Sequence, residues 1–255
     1  MIEAALEITE DAFLGGQLLL KQKRSGHRAG HDAILLAAAT EAQAGDRVVD
    51  FGAGVGAAGL ALARRVSGIR LSLVEIDPEL AELARENAAA NAIDAETIVL
   101  DVTARAQDFA AHGLVPDSVD RVLMNPPFND PARHRGSPDQ ARQIAHVATG
   151  ETLDGWVHAA RRILRSNGAL TLIWRADGIA EVLAALSRGF GSLSILPVHS
   201  EAESVAMRVL VRSVKGGRAP TRLLPGFVLN DESLMPKKEV TNILEGRAVL
   251  PLAEP

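Results

Sequence analysis

Arg47-Val48-Val49-Asp50-Phe51-Gly52-Ala53-Gly54-Val55-Gly56 is a short apolar strand that runs straight into a glycine-rich turn. The periodicity after it predicts a helix from Ala57 to Arg65. Strand, glycine loop and helix together form a nucleotide-binding turn. The glycines let a ligand approach the backbone, and the helix N-terminus faces that ligand. Outward from this turn the pattern repeats. A second strand, Arg70 to Ile76, ends in Glu75-Ile76-Asp77. Glu75 lies 19 residues after Gly56, where an acid can accept from ribose hydroxyls. Pro78 then opens a long helix to about Asn91, at a first-turn position that tolerates proline. Thr97 to Leu100 is a third strand, ended by Asp101, and Val119 to Met124 is a fourth, ended by Asn125. The expected fold is therefore α/β, with a mostly parallel, seven-stranded Rossmann-like sheet and helices on both faces. Asp50, Glu75, Asp101 and Asn125 fall at four successive strand ends. A structural cap accounts for any one of them, but four on one edge mark the edge where such sheets bind ligands.

The fourth strand stops at Asn125-Pro126-Pro127-Phe128, because two prolines fix φ and remove two backbone donors. Asn125 offers an amide oxygen, Pro126 a carbonyl, and Phe128 a flat apolar face. Two acceptors beside an aromatic plate suit a planar group that bears an NH2. The simpler reading is a turn, since Asn-Pro and Pro-Pro are ordinary loop punctuation.

The rest of the chain frames this edge. Residues 9–22 read as a hairpin around Gly15-Gly16. A strong helix begins near Asp32, which is placed to cap it, with Arg28 just upstream. His27 and His31 lie four apart, but no third ligand accompanies them and no metal site is expected. Residues 129–144 lose periodicity and carry Arg133 and Arg135, which suits a functional loop able to meet phosphates. A helix from about Leu153 to Arg165 is closed by Asn167-Gly168. A fifth strand, Ala169 to Trp174, a helix from Ile179 to Arg188, and strands Leu193 to Val198 and Ala206 to Val214 follow, the last two antiparallel. The division expected is a lead-in over 1–31, a main domain over 32–214 and a tail over 215–255. The 255 residues include no cysteine, which excludes disulfides and thiolate metal sites. Net charge is −5, which argues against a general nucleic-acid coat and still leaves room for a local basic patch. No apolar run spans a bilayer and the N-terminus is acidic, so a soluble cytoplasmic protein is expected.

Gly52-x-Gly54-x-x-Ala57 also satisfies the dinucleotide fingerprint, so a dehydrogenase is the competing reading. A hydride-transfer site has no use for paired amine acceptors beside a stacking ring. On Asp50 to Gly56, Glu75, Asp101 and the Asn125 tetrad, the sequence is similar to class I S-adenosylmethionine-dependent amino-methyltransferases. Arg28-x-Gly30-x-Asp32 with Ile34-Leu35-Leu36 narrows the likeness to the bacterial enzymes that methylate N6 of adenine 37 in a valine tRNA. That resemblance implies S-adenosylmethionine as cofactor, held by Arg28, Asp32, Asp50, Gly52, Ala53, Gly54, Gly56, Glu75, Ile76, Asp101, Val102 and Asn125. It implies catalysis at Asn125, Pro126, Pro127 and Phe128, and an RNA substrate, tRNA above all, without metal or membrane. Ribosomal-RNA guanine-N2 enzymes and release-factor glutamine-N5 enzymes share the tetrad and stand as alternatives. A cofactor-binding RNA subunit without catalysis is the reading from another class.

Overall fold

The computed structural model describes residues 8–24, 28–127, 152–231 and 233–253. Strands β1 (Ile8–Phe13) and β2 (Leu18–Lys23) form the expected antiparallel hairpin, with Gly15 and Gly16 both at positive φ. Then come α1 (His31–Ala39), β3 (Arg47–Phe51), α2 (Ala57–Arg65), β4 (Arg70–Glu75), α3 (Pro78–Ala90), β5 (Ala95–Val99), α4 (Ala106–Ala111) and β6 (Val119–Met124). A helix over 152–163, α5, leads into β7 (Leu164–Arg175), α6 (Ile179–Leu186), β8 (Phe190–His199) and β9 (Ala206–Lys215). Two short strands, β10 (Arg222–Leu223) and β11 (Phe227–Val228), and helix α7 (Lys238–Leu244) complete the order.

The main sheet runs β8-β9-β7-β6-β3-β4-β5, with β10 and β11 added along β8. Strands β3 to β7 pair with one another in parallel, while β9 is antiparallel to both β7 and β8. This is the expected seven-stranded sheet plus two two-residue additions. Alternation along β3 divides the core: Val48 packs with α1 and α2, whereas Val49 and Phe51 pack with Phe109 of α4 and Trp156 of α5. Chain order and parallel pairing bring the C-terminal ends of β3, β4, β5 and β6 to one edge.

Three sequence expectations change. Asp32 does not cap α1: Gly30 holds the N-cap position, and Asp32 sits in the first turn and pairs with Arg208. The helix before β7 does not close at Asn167-Gly168. It ends at 163, and Leu164 already pairs with Val119. Asn167, at φ 65°, and Gly168 instead form an irregularity inside the strand, where a Cβ on Gly168 would lie 2.9 Å from Arg165 O. Helix α4 carries no sequence signal that the periodicity reading detected. Residues 215–253, expected as a tail, place Val240, Ile243, Leu250 and Leu252 in buried positions, and Leu250 N donates to Ala38 O. His27 and the loop expected over 129–144 lie outside the described residues.

Two asparagines of α3 and its end fasten the hairpin. Asn87 is 0% exposed; its Oδ1 accepts from Lys21 N at 2.8 Å, and its Nδ2 donates to Lys21 O and Val55 O, both at 3.0 Å. Asn91 does the same for Leu19 N and O. The free backbone edge of β2 is thus paired by side-chain amides. Replacing Asn87 with Leu keeps the branched shape and removes the side-chain partner of three backbone groups, two part-buried and one buried. The expected cost is on the order of 3 kcal/mol, read as a lower urea midpoint with unchanged slope. A loss below about 1 kcal/mol would show that the hairpin is held elsewhere.

Candidate active site

The glycine loop follows β3 and is held by two buried acids. Glu75 ends β4; its Oε2 accepts from Gly54 N at 2.7 Å and its Oε1 from Asp77 N at 2.9 Å. Each carboxylate oxygen keeps a second lone pair, so a ribose hydroxyl can still donate to this group. Asp50 is 2% exposed and its Oδ2 accepts from Gly59 N at 2.8 Å. Its carboxylate therefore ties β3 to the first turn of α2. Burial pushes Asp50 up to about 7, against the lowering effect of the Gly59 bond and with a smaller push from the Glu75 charge.

The glycines serve different needs. Gly54, at φ +56°, meets nothing within 4 Å where a Cβ would stand, so its backbone faces open space. At Gly52 a Cβ would lie 2.4 Å from the Trp156 ring, so that glycine makes room for core packing. Gly56 is the N-cap of α2 in the left-handed region, and Ala53 N donates across to Val74 O. Trp156 has no signal in the motif, and only the tertiary fold places it beneath the loop.

At the next strand ends, Ile76 is 61% exposed although aliphatic, and presents an apolar face beside Glu75. Asp101 Oδ1 accepts from Thr103 N at 2.7 Å and Thr103 Oγ1 at 2.8 Å, and Val102 beside it is buried. Asn125 stands at the tip of β6. Its Oδ1 is buried and has no hydrogen-bond partner among the described residues. Pro126 is buried and Pro127 exposed; Phe128 lies outside the described residues. Two expected residues are engaged elsewhere. Arg28 donates to Thr9 Oγ1, Lys23 O and Asp11 Oδ2, tying the lead-in to the hairpin. Asp32 pairs with Arg208 of β9 at 2.9 Å, a partner too far along the chain for any motif to suggest. Among the described residues no cluster of three metal-ligating side chains occurs, and no helix is long and apolar enough to cross a membrane.

These residues fit S-adenosylmethionine. Gly54 offers open backbone, Glu75 a hydroxyl acceptor and Ile76 an apolar face for a ring; on the same edge Asn125 holds a buried acceptor left unsatisfied among the described residues. An orphaned buried carbonyl oxygen costs about 1–3 kcal/mol unless a ligand donor completes it.

Asp50 gives a pH signature. Its folded value lies above its unfolded value of 3.8, so the native state holds the proton more tightly. Its favourable effect is complete below pH 3.8 and is lost as pH rises through about 7, on the order of 4 kcal/mol in all. Asp50→Asn should flatten the fall in melting temperature of the cofactor-free protein between about pH 4 and 7. An equally steep fall in the variant would assign the titration to another group.

Comparison with known proteins agrees with this geometry. The family model described as methyltransferase small domain matches residues 29–201. A tRNA1(Val) (adenine(37)-N6)-methyltransferase from Porphyromonas gingivalis is 31% identical over 177 residues, 68% of each chain. A release factor glutamine methyltransferase from Chlorobaculum tepidum is 28% identical over 160 residues, 60% of this chain and 54% of that protein. A crystal structure from Agrobacterium tumefaciens, described as a predicted O-methyltransferase, superposes with a TM-score of 0.72 at 32% identity, covering 86% of this chain and 98% of that one. The open glycine loop, the acid on the neighbouring strand and these matches lead to one conclusion: the chain belongs to the methyltransferase small-domain family and is an S-adenosylmethionine-dependent methyltransferase.

Proposed function

We propose that this enzyme methylates the exocyclic N6 of an adenine in tRNA. The observation that carries the reading is the Oδ1 of Asn125 at the tip of β6, buried and without a partner among the described residues, on the edge that also carries Gly54 and Glu75. An amide oxygen with no partner is matched by an N–H donor. Pro126, next in the chain, adds a carbonyl that can accept a second N–H. An exocyclic amine has two N–H bonds to give, whereas a hydroxyl has one and would leave an acceptor unsatisfied. The reading is further supported by relatives named for adenine-N6 methylation of a valine tRNA, at 28–31% identity.

The chemistry asked of this chain is modest. The bound cofactor supplies a sulfonium-activated methyl group. The amine of adenine is a poor nucleophile because its lone pair is conjugated with the ring. Accepting both N–H bonds at Asn125 and Pro126 turns the nitrogen toward tetrahedral geometry and aims the lone pair across the pocket. The rest is positioning. The base has to leave its stack to reach this depth, and Phe128 is the residue we assign as its stacking partner. Arg28, Asp32, Asp50, Asp101 and Val102 remain assigned to the cofactor side by resemblance. Arg133 and Arg135 remain assigned to phosphates. The amide of a glutamine side chain is also planar and carries an NH2, so a release factor is the second substrate class; the Chlorobaculum relative favours testing it.

Removing one well-placed catalytic hydrogen-bond partner costs about 10²–10³ in kcat. Asn125→Ala should show that loss while the Kd for S-adenosylmethionine stays within a few-fold. Transfer of labelled methyl to bulk tRNA, followed by nucleoside analysis for N6-methyladenosine, checks the substrate. Label in protein alone would favour the glutamine reading, and near-normal turnover by Asn125→Ala would remove the basis of both.

A further inference from the structure

The chain is acidic overall, at a net charge of −5, yet its charges are unevenly spread. Residues 182–200 hold no acid, and residues 204–230 hold none against five basic residues, Arg208, Arg212, Lys215, Arg218 and Arg222. The fold lays these two stretches side by side along the outer edge of the sheet. Gly216 N donates to Gly189 O at 3.0 Å, Ala219 N donates to Ser192 Oγ at 2.9 Å, and Arg222 pairs with Ser194 where β10 adds to β8. Arg188 therefore stands at one end of this edge, and Arg218 and Arg222 follow along it. The other basic residues are answered within the fold: Arg208 pairs with Asp32, Arg212 with Glu41 and Lys215 with Asp117. Arg188, Arg218 and Arg222 are exposed instead. Arg222 makes one bond, from Nε to Ser194 Oγ at 3.1 Å, and leaves its outer nitrogens to solvent. Among the described residues the side chains of Arg188 and Arg218 bond to nothing. Like charges gathered without acids repel one another, and a polyanion is the partner that relieves them.

The strand register measures how far this edge lies from Asn125. Leu123 pairs with Thr171, Thr171 with Arg212, Arg212 with Ser194, and Ser194 with Arg222. Residues paired across a sheet share a face, so Arg222 lies on the face of Leu123, and hence on that of Asn125 two residues later. Four strand spacings separate β10 from β6, which puts Arg222 about 20 Å from Asn125. At roughly 3.4 Å per stacked nucleotide, that is a span of about six nucleotides. A lone target nucleotide does not reach so far, whereas a folded RNA does. Ser192, Ser194, Arg212, Ala219, Pro220 and Arg222 line a cleft at this point, with hydroxyl and guanidinium donors suited to phosphate oxygens. We propose that the β8–β10 edge is a docking surface for the backbone of the RNA substrate, with Arg188, Arg218 and Arg222 each meeting a phosphate remote from the target base. The proposal rests on the nucleobase reading above. Phosphate contacts position a nucleic acid without reading its sequence, so this edge sets affinity and orientation and leaves the choice of base to the Asn125 end.

The test uses an unmodified tRNA transcript as probe, with wild-type enzyme first assayed for methyl transfer to it. The triple variant Arg188→Gln, Arg218→Gln, Arg222→Gln should reduce the slope of log affinity against log salt by about 2–3, from three phosphate contacts at roughly 0.7–0.9 each. Its KM for the transcript should rise about tenfold or more. Its kcat at saturating transcript, its Kd for S-adenosylmethionine and its melting temperature should match the wild type, because no residue of the glycine loop or the Asn125 tip is touched. The triple lysine variant, which keeps the charges, should retain the wild-type slope. A wild-type slope and KM in the glutamine variant, with the wild type methylating the transcript, would overturn the docking surface and leave the nucleobase reading standing. A wild-type enzyme that leaves the transcript unmethylated and labels protein would overturn the nucleobase reading, and this proposal with it.

Discussion

The Glu75 carboxylate accepts from the backbone N–H of Gly54, and the shape of the site depends on that bond. The glycine loop turns through left-handed backbone at Gly52, Gly54 and Gly56, a shape that resists collapse only when its polar groups are satisfied. Without an acceptor, the Gly54 N–H would have to turn toward other partners and the loop would close over the space a ligand needs. Glu75 can perform this task because β4 is the neighbour of β3 in the sheet and ends one residue beyond the pairing of Phe51 with Val74. The parallel register is therefore what delivers a carboxylate to the loop, and the loop's openness follows from the register.

A second acid stabilises the same turn from below. Asp50 accepts from Gly59 N, and the absence of a side chain at Gly59 lets helix α2 come this close: a Cβ there would lie 2.6 Å from Leu73. The two acids differ in environment. Glu75 accepts two backbone N–H groups at the rim, whereas Asp50 has one such bond and full burial, which is why burial dominates its titration. One carboxylate sets the loop's opening and the other sets the angle at which the helix leaves it.

On the proposed reading, catalysis needs little beyond a strand that ends in the right place. Pro126 and Pro127 stop β6 by removing donors, so Asn125 is left at the tip with its oxygen buried and, among the described residues, unmatched. Adjacent strands supply the remainder of the mouth. Arg175 and Arg208 are carried outward by β7 and β9, which outrun β6, and α1 closes one side through Asp32. The hairpin, clasped by Asn87 and Asn91, covers the outer flank of α3 and so braces the helix that follows Glu75.

What the sequence determined by itself is local. Glycines before a helix, proline at the first turn of α3 and the stop at Asn125-Pro126-Pro127 are constraints on φ and on donors within a few residues. They placed β3, α2, β4, α3 and β6 to within a residue or two of the structure. The alternation of strands and helices determined the sheet, and the tetrad pointed to its chemistry. Helix α4, six residues long, escaped because so short a segment carries little periodicity. The end of α5 was misplaced because Asn167-Gly168 is equally a helix stop and a strand irregularity, and only pairing with β6 separates the two. Tertiary structure alone decided the partners that lie far apart in the chain: Asp32 with Arg208, Gly52 with Trp156, Asn87 with Lys21, and residues after 215 with β8 and α1. Those pairings depend on which strand lies beside which, and no local rule of dihedral or donor count contains that information.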